Sequence, residues 1–302
     1  IGLLGANLEI FDLDQVASLN YLCDDYGIDT MSAGCVLSFY ADAIEHGATT
    51  GDFKFGDAER AKQLLGIAAR REGELGNLLA DGSLRMARRF GHGSEAYAMQ
   101  VKGLELAAYN CKFIPGMALA FGTSPIGAHH REAWIITFEL KQTSRESYGR
   151  EKAAKVVELQ RIRGGLFEFM VACRFPWIEL GWDLKNYPIY FNKATGLEWT
   201  LDDFWKVSDR IYALMKFFWA REIPDWDRTR DYPPMVWFDP ANADKEGPIA
   251  GKILELDKYN GLLDHFYDIR GWDKRGIPTK KTAESLGLDK EAGEVQKYTK
   301  LE

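Results

Sequence analysis

The chain is poor in the residues that usually announce a metal or redox centre. It has four cysteines and five histidines in 302 residues. Cys23, Cys35, Cys111 and Cys173 are scattered, and no two form a C-x-x-C pair. That spacing excludes a zinc ribbon or finger. An even count permits two disulfides, but a chain with ample core does not need them, so a reducing, cytoplasmic setting is expected. A scattered cysteine is most often a small buried hydrophobe, a reading that suits Cys35 within an apolar helix. H-E-x-x-H, a P-loop, a G-x-G-x-x-G with a following acid, and a Ser/His/Asp order are all missing. No apolar run reaches the roughly 18 residues of a membrane span. No signal peptide is evident. Basic charge is not in excess, since the net charge is -7. Nucleic acid and membrane surfaces are therefore not expected partners. Internal repeats and low-complexity tracts are absent too. The opening Ile-Gly-Leu-Leu has no methionine, which reads as a processed or truncated product.

What is present is helical periodicity. The length suggests about two domains. Residues 10–28 carry Val16, Leu19 and Cys23 at helical spacing, with Asp12 or Asp14 as cap and Gly27 as stop. Further helices are expected over 31–46, 57–72 and 74–90, separated by glycines. Arg60 to Arg71 reads as a solvated helix face. Residues 1–100 form one helical unit with little strand signal, and 101–302 form a second. A polar linker, 141–150, precedes a helix to about Cys173 that Gly164-Gly165 interrupts. Thr200-x-x-Asp203 resembles a capping box, opening a helix to Arg221 with Phe204, Val207, Ile211, Leu214 and Phe218 as its core stripe. Residues 224–250 read as a surface excursion, 256–269 as a helix, and the tail from Lys274 as short surface helices.

The most unusual stretch is 101–134, VKGLELAAYNCKFIPGMALAFGTSPIGAHHREAW. Small residues crowd its middle, Pro115 and Pro125 punctuate it, and His129 and His130 follow. The prolines predict a loop in the middle. Gly127 to Leu140 predicts a helix with both histidines in its first turn. Adjacent histidines cannot form an i, i+4 zinc pair. Read from residues alone, this is a crowded Gly-rich turn between packed helices.

The run K-G-L-E-L-x-A-Y, then P-G-M-x-L-x-x-x-T-S, then G-A-x-H resembles the signature of the aldehyde ferredoxin oxidoreductases. The wording is most similar to the formaldehyde ferredoxin oxidoreductase branch. The resemblance runs from Gly5 to the C-terminus, and the family is about twice this length. It implies a mainly α fold, with 1–100 in the family's second domain and 101–302 in its third. It implies a tungsten bis-pterin cofactor, a [4Fe–4S] cluster and oxidation of formaldehyde or another short aldehyde to its acid. Ferredoxin would be the electron partner and a homo-oligomer the assembly. As a C-terminal fragment, residues 1–302 alone are expected to be inactive.

Site residues follow from the same resemblance. Asp24 and Asp29 occupy the acidic positions of a pterin-binding D-x-x-G-[L/I]-[D/C] motif. Carboxylates suit pterin amino and ring N–H donors. A second copy, D-x-x-G-L-C, matches residues 168–173: Glu168 replaces the aspartate, Val171 the glycine, and Cys173 takes the cluster-ligand position. Tyr109 and His130 match a tyrosine and histidine that approach the metal; a histidine can move a proton near neutral pH. A lysine that reaches the pterin in the other branch has no counterpart at Glu132. An interhelical dimer metal is not expected, since Ser18 and Tyr21 stand at its ligand positions. Two other readings stay open: a helical scaffold that has lost the metal site, and a tungstopterin relative with a different substrate.

Overall fold

A computed structural model describes residues 1–302. The fold is mainly α, with one two-stranded antiparallel ribbon, Gln100–Val101 (β1) against Leu104–Glu105 (β2). No helix is long and apolar enough to cross a membrane. The chain forms two compact units. The first comprises residues 1–113, 126–129 and 232–254, and the second 114–125, 130–231 and 255–302.

In the first unit, Asp12 accepts the Gln15 N–H and starts α1, Leu13–Tyr26. Such a cap contributes about 1 kcal/mol. Gly27 ends it at φ +68°, a left-handed conformation that L side chains resist. Asp29 then caps α2, Thr30–Glu45, through the Ser32 N–H. Helices α3 (Ala58–Arg70), α4 (Gly73–Asp81) and α5 (Ser83–Phe90) complete the helical body. The expected single helix over 74–90 is thus two, broken at Gly82 (φ +91°). Leu19, Ala41, Leu64 and Met86 are fully buried and tie α1, α2, α3 and α5 into one core.

The second unit corrects two expectations in the central stretch. Pro115–Thr123 is a helix, α6, with every residue buried. Pro115 occupies its first turn, where a missing N–H costs nothing, so the proline starts the helix rather than preventing it. Residues 127–135 are turns instead of helix, and α7 spans only Ile136–Lys141. His129 and His130 therefore lie in irregular backbone. Gly127 at φ +100° cannot serve as a first helical turn.

Helix α8, Arg150–Gln160, runs into a π-helical turn, Arg161–Leu166, and a last short α-turn, α9, Phe167–Phe169. Two short helices, α10 (Phe175–Leu180) and α11 (Asn186–Thr195), carry the aromatic residues Trp177, Tyr187, Tyr190 and Phe191. The stretch is not a loop. Phe167, Tyr187, Phe191 and Phe204 meet edge to face there, and the cluster is packing. The capping box at Thr200 and Asp203 forms as expected and opens α12, Leu201–Glu222. Its buried face differs from the expected stripe: Leu214 and Phe218 are exposed, while Ser208, Tyr212, Lys216 and Phe217 are buried. Helices α13 (Leu256–Arg270), α14 (Lys280–Leu286) and α15 (Asp289–Val295) close the unit. Residues 224–250 are no simple surface excursion either, for Trp226 and Trp237 are 3% and 2% exposed.

Candidate functional site

The residues singled out by sequence fall into two turns, one loop and one cavity. The first turn ends α1. The Gly27 N–H reaches the Asp24 carbonyl (3.2 Å) and the Ile28 N–H the Cys23 carbonyl (2.8 Å). This is a left-handed helix stop. It leaves Asp24 and Asp29 exposed at a single bend. Asp24 accepts a hydrogen bond from the Asn20 amide (3.1 Å), and Asp29 from Ser32 (2.7 Å). Each carboxylate keeps accepting capacity for a ligand. Asp29 borders a cavity of about 430 Å³ with Gly27, Ser32, Arg71 and Glu105.

The second turn repeats the first. The Val171 N–H reaches the Glu168 carbonyl (3.1 Å) and the Ala172 N–H the Phe167 carbonyl (2.9 Å). Val171 sits at φ +53°, where Gly27 sits at +68°. The glycine of the motif is thus a conformational requirement, and valine meets it under strain of about 1–2 kcal/mol. Cys173 follows, exposed and free.

Between them in sequence comes the histidine loop. His130 is half-buried in the second unit. The two residues after it are held firmly. Arg131 pairs with Glu132 (3.0 Å) and Glu168 (3.3 Å). The Arg131 carbonyl accepts from Arg163 Nε (2.8 Å) and Arg174 Nη1 (3.2 Å). Glu132, 2% exposed, also accepts a short hydrogen bond from the Tyr212 hydroxyl. Burial, with the Glu132 charge second, pushes the Tyr212 hydroxyl well above the usual tyrosine range, so it is a donor at every physiological pH. Burial, then Arg131, lowers the Arg174 pKa. Gly164 makes the Glu132–Tyr212 meeting possible, because a Cβ there would overlap both side chains. The π-turn at 161–166, carrying the Gly-Gly pair, thereby grips the backbone next to His130.

Helix α6 is fixed from its N-terminus. The Glu139 carboxylate accepts the Gly116 and Met117 N–H groups (2.8 and 2.9 Å), and Lys152 pairs with it (2.8 Å), both side chains wholly buried. A carboxylate at a helix N-terminus complements the macrodipole. Burial nonetheless raises the Glu139 pKa, with Lys152 the largest opposing influence.

Tyr109 lies in the first unit. It lines a cavity of about 800 Å³ with Leu3, Cys35, Leu106, Val236 and Trp237.

The structure therefore joins Asp24 with Asp29 at one bend, and links Glu168 to Arg131, the residue following His130. It does not assemble a metal centre by itself: no group of three or more His, Cys, Asp or Glu side chains could hold an ion. Cys23, Cys35 and Cys111 are buried. Sequence reasoning missed Arg131, Tyr212 and the Glu139–Lys152 pair. The Gly-Gly doublet inside a helical pattern was the one available signal for the first two, since two adjacent glycines in a helix need a close neighbour to justify them.

A sequence profile described as aldehyde ferredoxin oxidoreductase, domains 2 and 3, matches residues 1–288. The chain belongs to the aldehyde ferredoxin oxidoreductase family. Among curated relatives it is similar to tungsten-containing aldehyde ferredoxin oxidoreductases. It is 31% identical to that of Pyrococcus abyssi over 300 residues, 95% of this chain and 47% of the relative. For the Thermococcus kodakarensis protein the identity is 29% over 296 residues, 94% of this chain and 47% of the relative. A WOR-like subunit of an aliphatic sulfonate oxidoreductase from Pyrococcus furiosus is 26% identical over 98% of this chain and 46% of its own length. The chain thus spans about half the length of the curated relatives it matches. Among solved structures, the active-site complex BamBC of benzoyl-coenzyme A reductase, in complex with 1,5-dienoyl-CoA, shares the fold. Its TM-score is 0.68 at 20% identity, covering 95% of this chain and 48% of that one.

The donor set fits a pterin. Two bends of the same backbone geometry each begin with a carboxylate, and Asp29 borders a cavity. For an iron–sulfur cluster the fit is partial, since one exposed thiolate is present and four are required.

Proposed function

We propose that the polypeptide carrying this chain is a tungsten-pterin oxidoreductase that converts an aldehyde and water to a carboxylic acid. The conversion releases two electrons and two protons; ferredoxin would take the electrons, and a [4Fe–4S] cluster, to which Cys173 would give one ligand, would supply one-electron transfer between them. Residues 1–100 would supply the family's second domain and 101–302 its third. The observation carrying this reading is the repeated bend at 24–29 and 168–173, which presents carboxylates at both copies and adds Cys173 at the second.

In this reading Asp24, Asp29 and Glu168 accept hydrogen bonds from the pterins, and Cys173 is one cluster ligand. The other thiolates come from outside these 302 residues. The chemistry a bound tungsten-pterin would supply is two-electron oxidation. The chain's own groups orient and move protons. The Tyr109 hydroxyl donates a hydrogen bond to the substrate carbonyl. As water adds to the carbonyl carbon, the His130 imidazole takes up a released proton. Arg131, Glu132 and Tyr212 hold the loop so that the imidazole stays placed, since small misplacements cost large factors in rate.

The test is aldehyde-dependent dye reduction by the full-length polypeptide purified without oxygen, alongside its His130→Asn variant. A fall in kcat of about 10²–10⁴-fold for the variant, with tungsten content unchanged, supports the role given to His130. A metal-free, well-folded protein would favour the scaffold reading instead. Residues 1–302 alone should show no dye reduction.

A further inference from the structure

We infer that Arg270 is a positioning residue for the second carboxylate bend: through Tyr212 and Glu132 it sets how Arg131 holds Glu168. This rests on the oxidoreductase reading above and deepens it, by naming a residue of α13 that governs one pterin contact without touching it.

Arg270 closes α13, and a cation in a helix's last turn usually faces that helix's own carbonyls. This one does not. Its side chain is 2% exposed, and its donors go elsewhere. Nη1 donates to Asp209 Oδ1 and Nη2 to Gln160 Oε1, both at 2.7 Å. The guanidinium carbon lies 4.5 Å from the centre of the Tyr212 ring. The three contacts converge on one region. Gln160 ends α8, directly before the π-turn. Asp209 also accepts Nε and Nη2 of Arg161, the first residue of that turn, at 2.8 and 2.7 Å. Tyr212 donates to Glu132.

From Glu132 the line runs on to the bend. Glu132 pairs with Arg131 at 3.0 Å, and Arg131 with Glu168 at 3.3 Å. Four contacts thus join a buried cation on α13 to a carboxylate that is 44% exposed and open to a ligand.

Two observations set Arg270 apart from plain packing. Its Nε is buried without a hydrogen-bond partner, a cost that an apolar side chain of similar volume would avoid. The geometry also calls for arginine in particular. A planar fork serves two acceptors and still offers a face to an aromatic ring, which the point charge of lysine cannot do. Without that face, the Tyr212 ring is no longer held with its hydroxyl against Glu132. Glu132, buried and short of a donor, then draws Arg131 to itself and away from Glu168. Glu168 keeps its charge but loses its orientation.

The experiment uses the full-length polypeptide, purified without oxygen with its pterin. It reads the rate of pterin loss on incubation, by fluorescence of the oxidised pterin, at a temperature where circular dichroism shows every variant folded. Arg270→Met and Glu168→Gln should each speed the loss by about 10-fold or more, as loss of an outer supporting group does at metal sites. The double variant should lose pterin no more than about threefold faster than the quicker single, because both changes act on one carboxylate. Tyr212→Phe keeps the ring beside the guanidinium and removes only the hydroxyl. It should match Arg270→Met, and the two combined should again add little. A purely structural role for Arg270 gives a different pattern, in which its effect multiplies with that of Glu168→Gln. Multiplying effects, or unchanged pterin loss in Arg270→Met, overturn the positioning role and leave the oxidoreductase reading intact. If Arg270→Met does not fold, Arg270→Lys, which keeps the charge but not the fork, takes its place and the same outcomes decide. An unchanged protein that holds no pterin overturns the oxidoreductase reading, and the positioning role with it.

Discussion

Replacing Gly164 by alanine should be one of the most damaging single-methyl additions in the second unit. The position lies in the π-turn, with Glu132 Oε2 and the Tyr212 hydroxyl both inside the volume a Cβ would claim. Neither neighbour can yield cheaply: Glu132 is 2% exposed and Tyr212 1%. Overpacking a filled interior costs about 1–3 kcal/mol. Separating the two side chains also leaves a buried carboxylate short of a donor, about 1–3 kcal/mol more. Alanine's better helix propensity returns at most about 1 kcal/mol. The net loss is about 1–5 kcal/mol, or a Tm lower by roughly 2–8 °C at this chain size. Thermal unfolding followed by far-ultraviolet circular dichroism reads it. The single Tyr212→Phe variant, which removes the clashing oxygen, and the double variant complete a cycle. The double should lose less than the two singles combined by about 1 kcal/mol or more, because the sites touch. An unchanged or raised Tm for Gly164→Ala would refute the role given to the π-turn.

Three further outcomes follow from the same geometry. Val171→Gly should raise stability by about 0.5–1 kcal/mol, since relief of left-handed strain exceeds the glycine entropy cost and the valine is 93% exposed; chemical denaturation measures it. Lys152→Met should cost about 3–5 kcal/mol near neutral pH by leaving the Glu139 charge buried and unpaired. Because burial already raises the Glu139 pKa, its stabilising contribution is present below the unfolded value of 4.5 and lost as pH rises through the folded value. The Lys152→Met penalty should therefore shrink on acidification, and a pH series of melting curves tests that sign. In folded residues 1–302 alone, which hold no cluster, iodoacetamide should label Cys173 and spare Cys23 and Cys35, whose thiols burial pushes up to about 11 and about 12; mass spectrometry before and after denaturation reads the sites.

Much of the first unit was legible in the sequence. Asp12, Gly27 and Asp29 are local signals, each deciding a helix end by its own side chain or its freedom to take positive φ. The second unit was less so, for its decisive features are long-range. Pro115 is a helix start because small residues let α6 be buried on all sides and Glu139 caps it from 22–23 residues away. Leu214 and Phe218 follow the helical period yet face outward, while Tyr212 and Lys216 are drawn inward by Glu132 and Asp231. A periodicity argument counts apolar side chains and cannot anticipate buried polar pairs. The site residues came from motif resemblance. What geometry adds is the reason for the motif: the glycine position is a left-handed helix stop, shown twice, once by Gly27 and once under strain by Val171.

The most direct test of the central claim is metal and pterin analysis of the full-length polypeptide, purified without oxygen from a tungsten-supplied host, with its Cys173→Ser and Asp29→Asn variants beside it. The account predicts one tungsten and about four irons per chain, the iron of a single cubane cluster. It also predicts loss of iron in Cys173→Ser and reduced pterin in Asp29→Asn. A folded protein holding neither tungsten nor pterin, or variants indistinguishable from it in metal content, would contradict the account.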